Sequence, residues 1–392
     1  MNQSEIKNRN ETMLNLMLSL TDVSNWEHSL SLTEDSINHF QNENWLSEID
    51  TVFIVGHGTS LGTALNAEAW FAHISKLRAQ AVPAYQFKCY WEDYLTQPKK
   101  TLVIGISSRG STETVAQCLE IANTAGAVSL CLSGDGDELR CVEAARYRIK
   151  ADTGIERRYN ITVGASSISH IFLLAGAFKL SILLGKCNGS LDSEGVSYWN
   201  KQFEHMTLAM KHLPSLYERT CEVSAAMVDI GAQNFAVLGT GPNIGTVKEG
   251  ALKISEFCWV FGAGEELEDF IHGRFREISS KIPLLIISPT GKPYEKTMDV
   301  LAGCVMAETP SIVFSDNVTP AMKKMADFVI EMPKIQDEYL TPFLYIFPLW
   351  FYGYNIRSSE GKLVGEARHN LFAVDIKYKG KFDENGERIR ML

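Results

Sequence analysis

The sequence predicts an α/β protein built of two tandem doubly wound parallel-sheet domains, each flavodoxin-like, behind an N-terminal helical extension. Three observations predict this. An apolar run closed by a glycine turn occurs twice, as Val52–Gly58 and as Phe235–Gly241. Short apolar runs alternate with helix-patterned stretches in both halves, the pattern of parallel strands covered on two faces. The length, 392 residues, holds two domains of ordinary size at roughly 150 residues each.

Taken in chain order, residues 1–48 form the helical extension, whose patterned Met13, Leu16, Leu18 and Leu20 point to packing. The first domain spans 49–200. Its first strand ends at Gly56, a helix follows, and a second buried strand, Leu102 to Ser107, runs into a polar turn and a helix starting near Thr112. A third strand is Ala127–Leu132. The apolar run His170–Leu184 contains Lys179 and falls short of the roughly 20 residues a membrane span needs, so a buried helix is expected. A polar helical stretch, Lys201–Glu222, leads into the second domain, 201–366, with strands ending at Gly239, near Ile287 and at Phe314. The aromatic run Tyr339–Tyr354, interrupted by Pro342 and Pro348, reads as a buried or subunit-interface helix; residues 367–392 are a C-terminal tail. An offset of 183 residues pairs Gly56 with Gly239, Gly58 with Gly241, Gly62 with Gly245 and Thr63 with Thr246, so one fold is duplicated.

Composition excludes several classes. With 45% hydrophobic and 21% charged residues the chain can build a large core, which argues against disorder. A net charge of −10 with no basic block makes nucleic acid and anionic membranes unfavourable partners, while one positive pocket for a phosphorylated small molecule is compatible with it. Met1–Glu5 lacks the basic stretch and apolar run of a secretory leader, so the cytoplasm is the expected compartment. Eight cysteines stand singly, without C-x-x-C pairs or histidines at metal-ligand spacing; they read as reduced thiols, and neither a metal nor a cofactor is expected.

The glycine turns exclude nucleotide chemistry. Gly56-x-Gly58-x-x-x-Gly62 is not the dinucleotide spacing, no acidic residue follows about 20 residues on, and no P-loop is present. The turn Ser107-Ser108-Arg109-Gly110-Ser111-Thr112 places hydroxyls and a guanidinium between a strand and a helix N-terminus, the composition of a phosphate cradle. Thr59 and Ser60, after the first strand, add donors at the same sheet edge; the bland alternative is a solvated helix cap. On the helix after the second glycine turn, Glu249, Lys253 and Glu256 share a face at i, i+4 and i+7. They form either a surface ion-pair ladder or, given the apolar remainder of the helix, a semi-buried general base. His272, before Gly273, is a proton-shuttle candidate at neutral pH.

Together these motifs resemble the sugar isomerase (SIS) domain family, in particular its double-SIS members: the isomerase half of glucosamine-6-phosphate synthase, tagatose-6-phosphate isomerase-like proteins and fructosamine-6-phosphate deglycases. The family's Ser-x-Ser-Gly-x-Thr loop is similar to Ser107–Thr112, its Glu-Gly-Ala-Leu-Lys-x-x-Glu helix to Glu249–Glu256, and its His-Gly-Pro to His272-Gly273. The resemblance implies proton transfer between C1 and C2 of a 6-phosphosugar by Glu256. It also implies ring opening by His272 entering from the neighbouring subunit of a homodimer, and phosphate held by Ser107, Ser108, Arg109 and Thr112 with Thr59 and Ser60 nearby; Glu249 and Lys253 support the base. Arg109 and Arg274 depart from the family's serine and proline. The tail segment Ala367–Val374 carries Phe372 or Ala373 where the synthase's Schiff-base lysine falls, with Lys377 the nearest substitute. With no glutamine-cleaving segment, and asparagine at position 2, amide nitrogen transfer is not expected. The reading favoured is a deglycase or deaminating isomerase on a 6-phosphorylated ketosamine; the alternatives are a simple aldose–ketose isomerase and a non-catalytic sugar-phosphate sensor.

Overall fold

The computed structural model describes residues 1–134, 136, 139–152, 168–232 and 234–366. Residues 155–167 and the tail, with Phe372, Ala373 and Lys377, lie outside the described residues. The chain opens with α1 (Gln3–Ser19), started by a capping box between Asn2 and Glu5, and α2 (Glu27–Phe40). The first α/β unit follows: β1 (Thr51–Gly56), α3 (Thr59–His73), β2 (Arg78–Pro83), α4 (Ala84–Cys89), β3 (Thr101–Ser107), α5 (Glu113–Ala125), β4 (Val128–Ser133), β5 (Tyr147–Lys150) and α6 (Ile168–Cys187). Helices α7 (Ser193–Met210) and α8 (Leu216–Asp229) connect the halves. The second unit is β6 (Phe235–Gly239), α9 (Ile244–Cys258), β7 (Gly262–Glu266), α10 (Leu267–Ile271), β8 (Leu284–Ile287), α11 (Pro293–Ala307), β9 (Ser311–Ser315), α12 (Pro320–Met325), β10 (Phe328–Glu331) and α13 (Pro342–Ser359).

Both sheets have five parallel strands in the same order, β2-β1-β3-β4-β5 and β7-β6-β8-β9-β10, the flavodoxin-like order expected. Five strands per half rather than three is a correction. The additional ones are sheet-edge strands, and Arg-Ala-Gln-Ala-Val-Pro or Gly-Ala-Gly-Glu-Glu carries too little apolar surface to announce itself as a buried strand. The third strand also begins at Val128, one residue late.

Strand register makes the duplication exact enough to compare side chains. Val55 lies opposite Gly105 and Gly105 opposite Cys131; in the other sheet Leu238 lies opposite Ile286 and Ile286 opposite Val313. Ser107 therefore corresponds to Ser288, Gly110 to Gly291 and Gly134 to Asp316.

Alternate strand residues point to opposite faces, and both faces are filled. Ile54, Ile104 and Leu130 of one sheet, with Val237, Leu285 and Ile312 of the other, face one continuous core between the halves. Phe53, Val103 and Cys131 pack outward under α4 and α5, and Leu238, Ile286 and Val313 outward under α10 to α12. The shared core is occupied by α3, α6, α9 and α13. Helix α13 is buried along almost its whole length, so the run Tyr339–Tyr354 serves the interior and not a subunit surface. Helix α6 is longer than the run that suggested it, at 20 residues, and is likewise an interior helix.

The halves meet where α3 crosses α9, at the repeat-related pair Gly62 and Gly245. A Cβ on Gly245 would stand 2.2 Å from both the Gly62 carbonyl oxygen and Asn66 Oδ1, so only glycine permits this approach. Asn66 Oδ1 accepts from the Thr246 amide at 3.0 Å across the same crossing.

Candidate active site

The hydroxyl turn lies where the sequence places it, at the carboxyl end of β3. Gly110 takes φ +63°, and its amide donates to the Ser107 carbonyl at 2.9 Å, closing a tight turn that a side chain at 110 would strain. Thr112 is the N-cap of α5, and its hydroxyl meets that of Ser107 at 3.0 Å. Ser107 is buried, Ser108 and Thr112 are half-buried, and Arg109 is exposed at the tip. Residues 139–141 hold the turn from behind: the Cys141 amide donates to the Gly110 carbonyl at 2.9 Å, and Leu139 packs against Gly110. Arg140 bonds Glu113 in the first turn of α5 at 2.9 Å. Amides at a helix start, hydroxyls and an exposed cation together suit an anionic oxygen cluster.

Beside it, at the end of β1, Thr59 opens α3 and reaches the other half of the molecule. Its hydroxyl donates to Glu249 Oε1 at 3.3 Å and so reaches a carboxylate of α9; Ser60 is buried one position on. Glu249 and Lys253 are almost wholly buried, and the side chain of Glu256 keeps 34% exposure. Lys253 Nζ lies 2.7 Å from Glu256 Oε2 and 3.6 Å from Glu249 Oε1. The three residues are thus not a surface ladder: two are interior, and the third sits where the row emerges. Burial pushes the Glu249 carboxyl up to about 7, against the opposing pull of Lys253. Two residues that sequence reasoning missed complete the cluster. His170, in the first turn of α6, places Nδ1 2.9 Å from Thr63 Oγ1 of α3. The signal for it was a lone histidine in an apolar run, read there as core.

Helix α9 ends at Trp259 in the left-handed conformation, φ +59°. The indole nitrogen donates to the Glu366 carbonyl, and Arg357 stacks 3.8 Å above the ring. Glu366, the last described residue, is thereby moored three residues beyond Glu256.

His272 stands apart. It caps α10 on the surface, with a side chain 73% exposed and Nε2 3.0 Å from Glu268 Oε1. It is absent from the group of Thr59, Glu249, Lys253 and Glu256 within one chain. Arg274, where the family's proline would be, pairs with Glu265 at 3.3 Å and lines an open cleft of about 550 Å³ with Lys248 and Phe261. That cleft lies at the amino-terminal ends of β6 and β7, the opposite end of the sheet from the turns that collect ligands.

The corresponding turn of the second half is already filled. Where the first half has Gly134, the second has Asp316, whose Oδ1 accepts from both the amide and the hydroxyl of Thr290, the latter at 3.0 Å. Tyr345, pushed up by burial, also meets Asp316, accepting from its amide at 3.1 Å. The turn of the second half is thus closed by the chain's own carboxylate, where the first half has a glycine.

Two stacked α/β units sharing one helical core, with a hydroxyl turn on the first and an acid–base row from the second, define the class. Residues 45–172 match the SIS domain family. The chain is similar to glutamine–fructose-6-phosphate aminotransferase (isomerizing) of Thermococcus kodakarensis, 25% identical over 337 residues, covering 85% of this chain and 53% of that protein. It therefore spans about half the length of that relative. Among solved structures, the C-terminal domain of glucosamine-fructose-6-phosphate aminotransferase from Francisella tularensis has a TM-score of 0.73 at 17% identity, covering 93% of this chain and 97% of that one. Tagatose-6-phosphate ketose/aldose isomerase from Escherichia coli has a TM-score of 0.68 at 15% identity, covering 92% and 93%. At these identities the two structures speak to the fold.

Proposed function

We propose that the chain is a sugar-phosphate isomerase of the SIS type, both halves being SIS units, and that its reaction is the breakdown of a 6-phosphorylated ketosamine. The observation that carries this is the placement of Glu256: it emerges from a buried Glu249–Lys253 pair that is bonded to the turn after β1, neighbour of the strand bearing the open hydroxyl turn. Phosphate held at Ser107, Ser108, Arg109 and Thr112 fixes one end of an open-chain sugar, and fixing one end positions the other against a single base.

The chemistry then needs one carboxylate. Glu256 takes the proton from C1 of the ketosamine while O2 is protonated, leaving an enolamine, and returns a proton to C2 as the nitrogen gives up its own; the product is an imine of the aldose, with the double bond now between C1 and nitrogen. Water adds to C1, the C–N bond breaks, and the amine leaves with a proton. Lys253 holds the carboxylate in place, and the Glu249 carboxyl, raised by burial, holds less of its charge near neutral pH and so competes less with Glu256 for that ammonium. His272 of a second copy of this chain opens the sugar ring.

Incubation with a fructosamine 6-phosphate should release free amine and a hexose 6-phosphate in equal amounts. Glu256→Gln should lower kcat by at least roughly 100-fold, the scale of a lost general base. Undiminished turnover in that variant overturns the mechanism. Interconversion of plain ketose and aldose phosphates without action on the ketosamine would replace it with simple isomerisation.

A further inference from the structure

Helix α6 is apolar and interior, an environment that suits a hydrocarbon side chain at 170. A histidine ring with no exposed surface instead loses hydration, which burial alone does not repay. Its surroundings are specific. The ring meets Trp350 of α13 edge-to-face at 6.3 Å, and Nδ1 meets Thr63. The Thr63 hydroxyl also lies 3.2 Å from the Thr59 carbonyl, which only accepts. Thr63 has one proton to give, so both contacts are satisfied together only when His170 donates from Nδ1. Nε2 is then a bare acceptor, and neither it nor Glu249 Oε2 has a hydrogen-bond partner among the described residues. Burial and the charge of Lys253 hold the imidazole neutral, down to about 3, so it keeps this single tautomer through the physiological range.

We propose that His170 is a positioning residue: by bonding Thr63 it fixes the first turn of α3, and through Thr59 it sets Glu249 and the Lys253 ammonium against which Glu256 is held. This rests on the reaction proposed above. The connection runs through four elements, from α6 to α3 to α9, with α13 closing the far side of the ring. His170 touches no substrate; it decides where the base stands.

The test uses the full chain and a fructosamine 6-phosphate. His170→Phe keeps the ring and its contact with Trp350 while removing both nitrogens. It should lower kcat roughly 10- to 100-fold, the effect of a misplaced catalytic group, with KM changed less than about twofold because the phosphate turn is untouched. His170→Asn, whose amide occupies the place of Nδ1, should recover most of the loss, and Thr63→Val should reproduce it, the double variant being no slower than either single one. Nitrogen-15 NMR should show His170 neutral and protonated on Nδ1, with the resonance displaced in Thr63→Val.

Wild-type kcat in His170→Phe, or an asparagine variant as slow as the phenylalanine one, overturns the role. If His170→Phe does not fold, Thr63→Val with wild-type kcat overturns it equally. A wild-type chain with no turnover removes the functional reading itself. The NMR result is independent of turnover, and a proton found on Nε2 overturns the inference even then.

Discussion

At the scale of single residues, the carboxyl buried deepest is the one with the clearest consequence. Glu249 binds its proton more tightly folded than unfolded, since burial raises it to about 7 from an ordinary value near 4.5. The folded state then holds more protons between those values, and the stability this contributes is present below about pH 4.5 and lost as pH rises through 7. His170 works in the other direction: lowered to about 3, it contributes stability above its ordinary value near 6.5 and loses it as pH falls. The two slopes oppose each other across mildly acidic pH, and Glu249 acts alone above it. Denaturant unfolding of Glu249→Gln against the wild type isolates the first slope: near equality at pH 5, with the variant ahead by on the order of 2 kcal/mol at pH 8. The i, i+4, i+7 spacing identified Glu249, Lys253 and Glu256 from the sequence. Which of the three is buried was not legible, because it depends on α3 lying across α9, a contact between residues about 190 positions apart in the chain.

Among elements, the crossing of α3 and α9 governs everything built upon it. Gly245→Ala sets a methyl group into the backbone of Gly62 and the side chain of Asn66, neither of which can withdraw; it should cost about 3 kcal/mol by denaturant unfolding. Gly250→Ala, on the same helix, meets a side chain and no backbone, chiefly the Cδ1 of Leu349 at 2.2 Å, and the better helix propensity of alanine offsets part of the crowding. That variant should stay within about 1 kcal/mol of wild type. Central strands were legible because they are continuous apolar runs, and α6 and α13 because no amphipathic face interrupts them. The edge strands β2, β5, β7 and β10 were not, being short and half polar; only hydrogen bonding to a neighbour makes them strands.

For the molecule as a whole, the repeat offset foretold two matching folds, and strand order confirms the match to the last strand. What it could not foretell is the division of labour that the proposed reaction assigns, with the anion turn in one half and the base in the other. The proposed completion of the site by His272 of a second copy makes a direct prediction. Chains carrying Glu256→Gln and chains carrying His272→Asn, each slow alone, should regain up to about a quarter of wild-type turnover when unfolded and refolded together, since half the dimers then pair one intact set of groups. A mixture no faster than its parts would place His272 outside the reaction.

Asp316 carries a last implication. A concave ring of amide and hydroxyl donors left empty inside a folded unit must be hydrated or plugged, and here the polypeptide brings its own stopper. Duplication thus leaves one lock and one keyhole already holding a key, so that titration with inorganic phosphate should saturate at a single equivalent per polypeptide. In the proposed reaction the sealed lobe, relieved of cargo, is the anvil on which the cargo of its twin is worked.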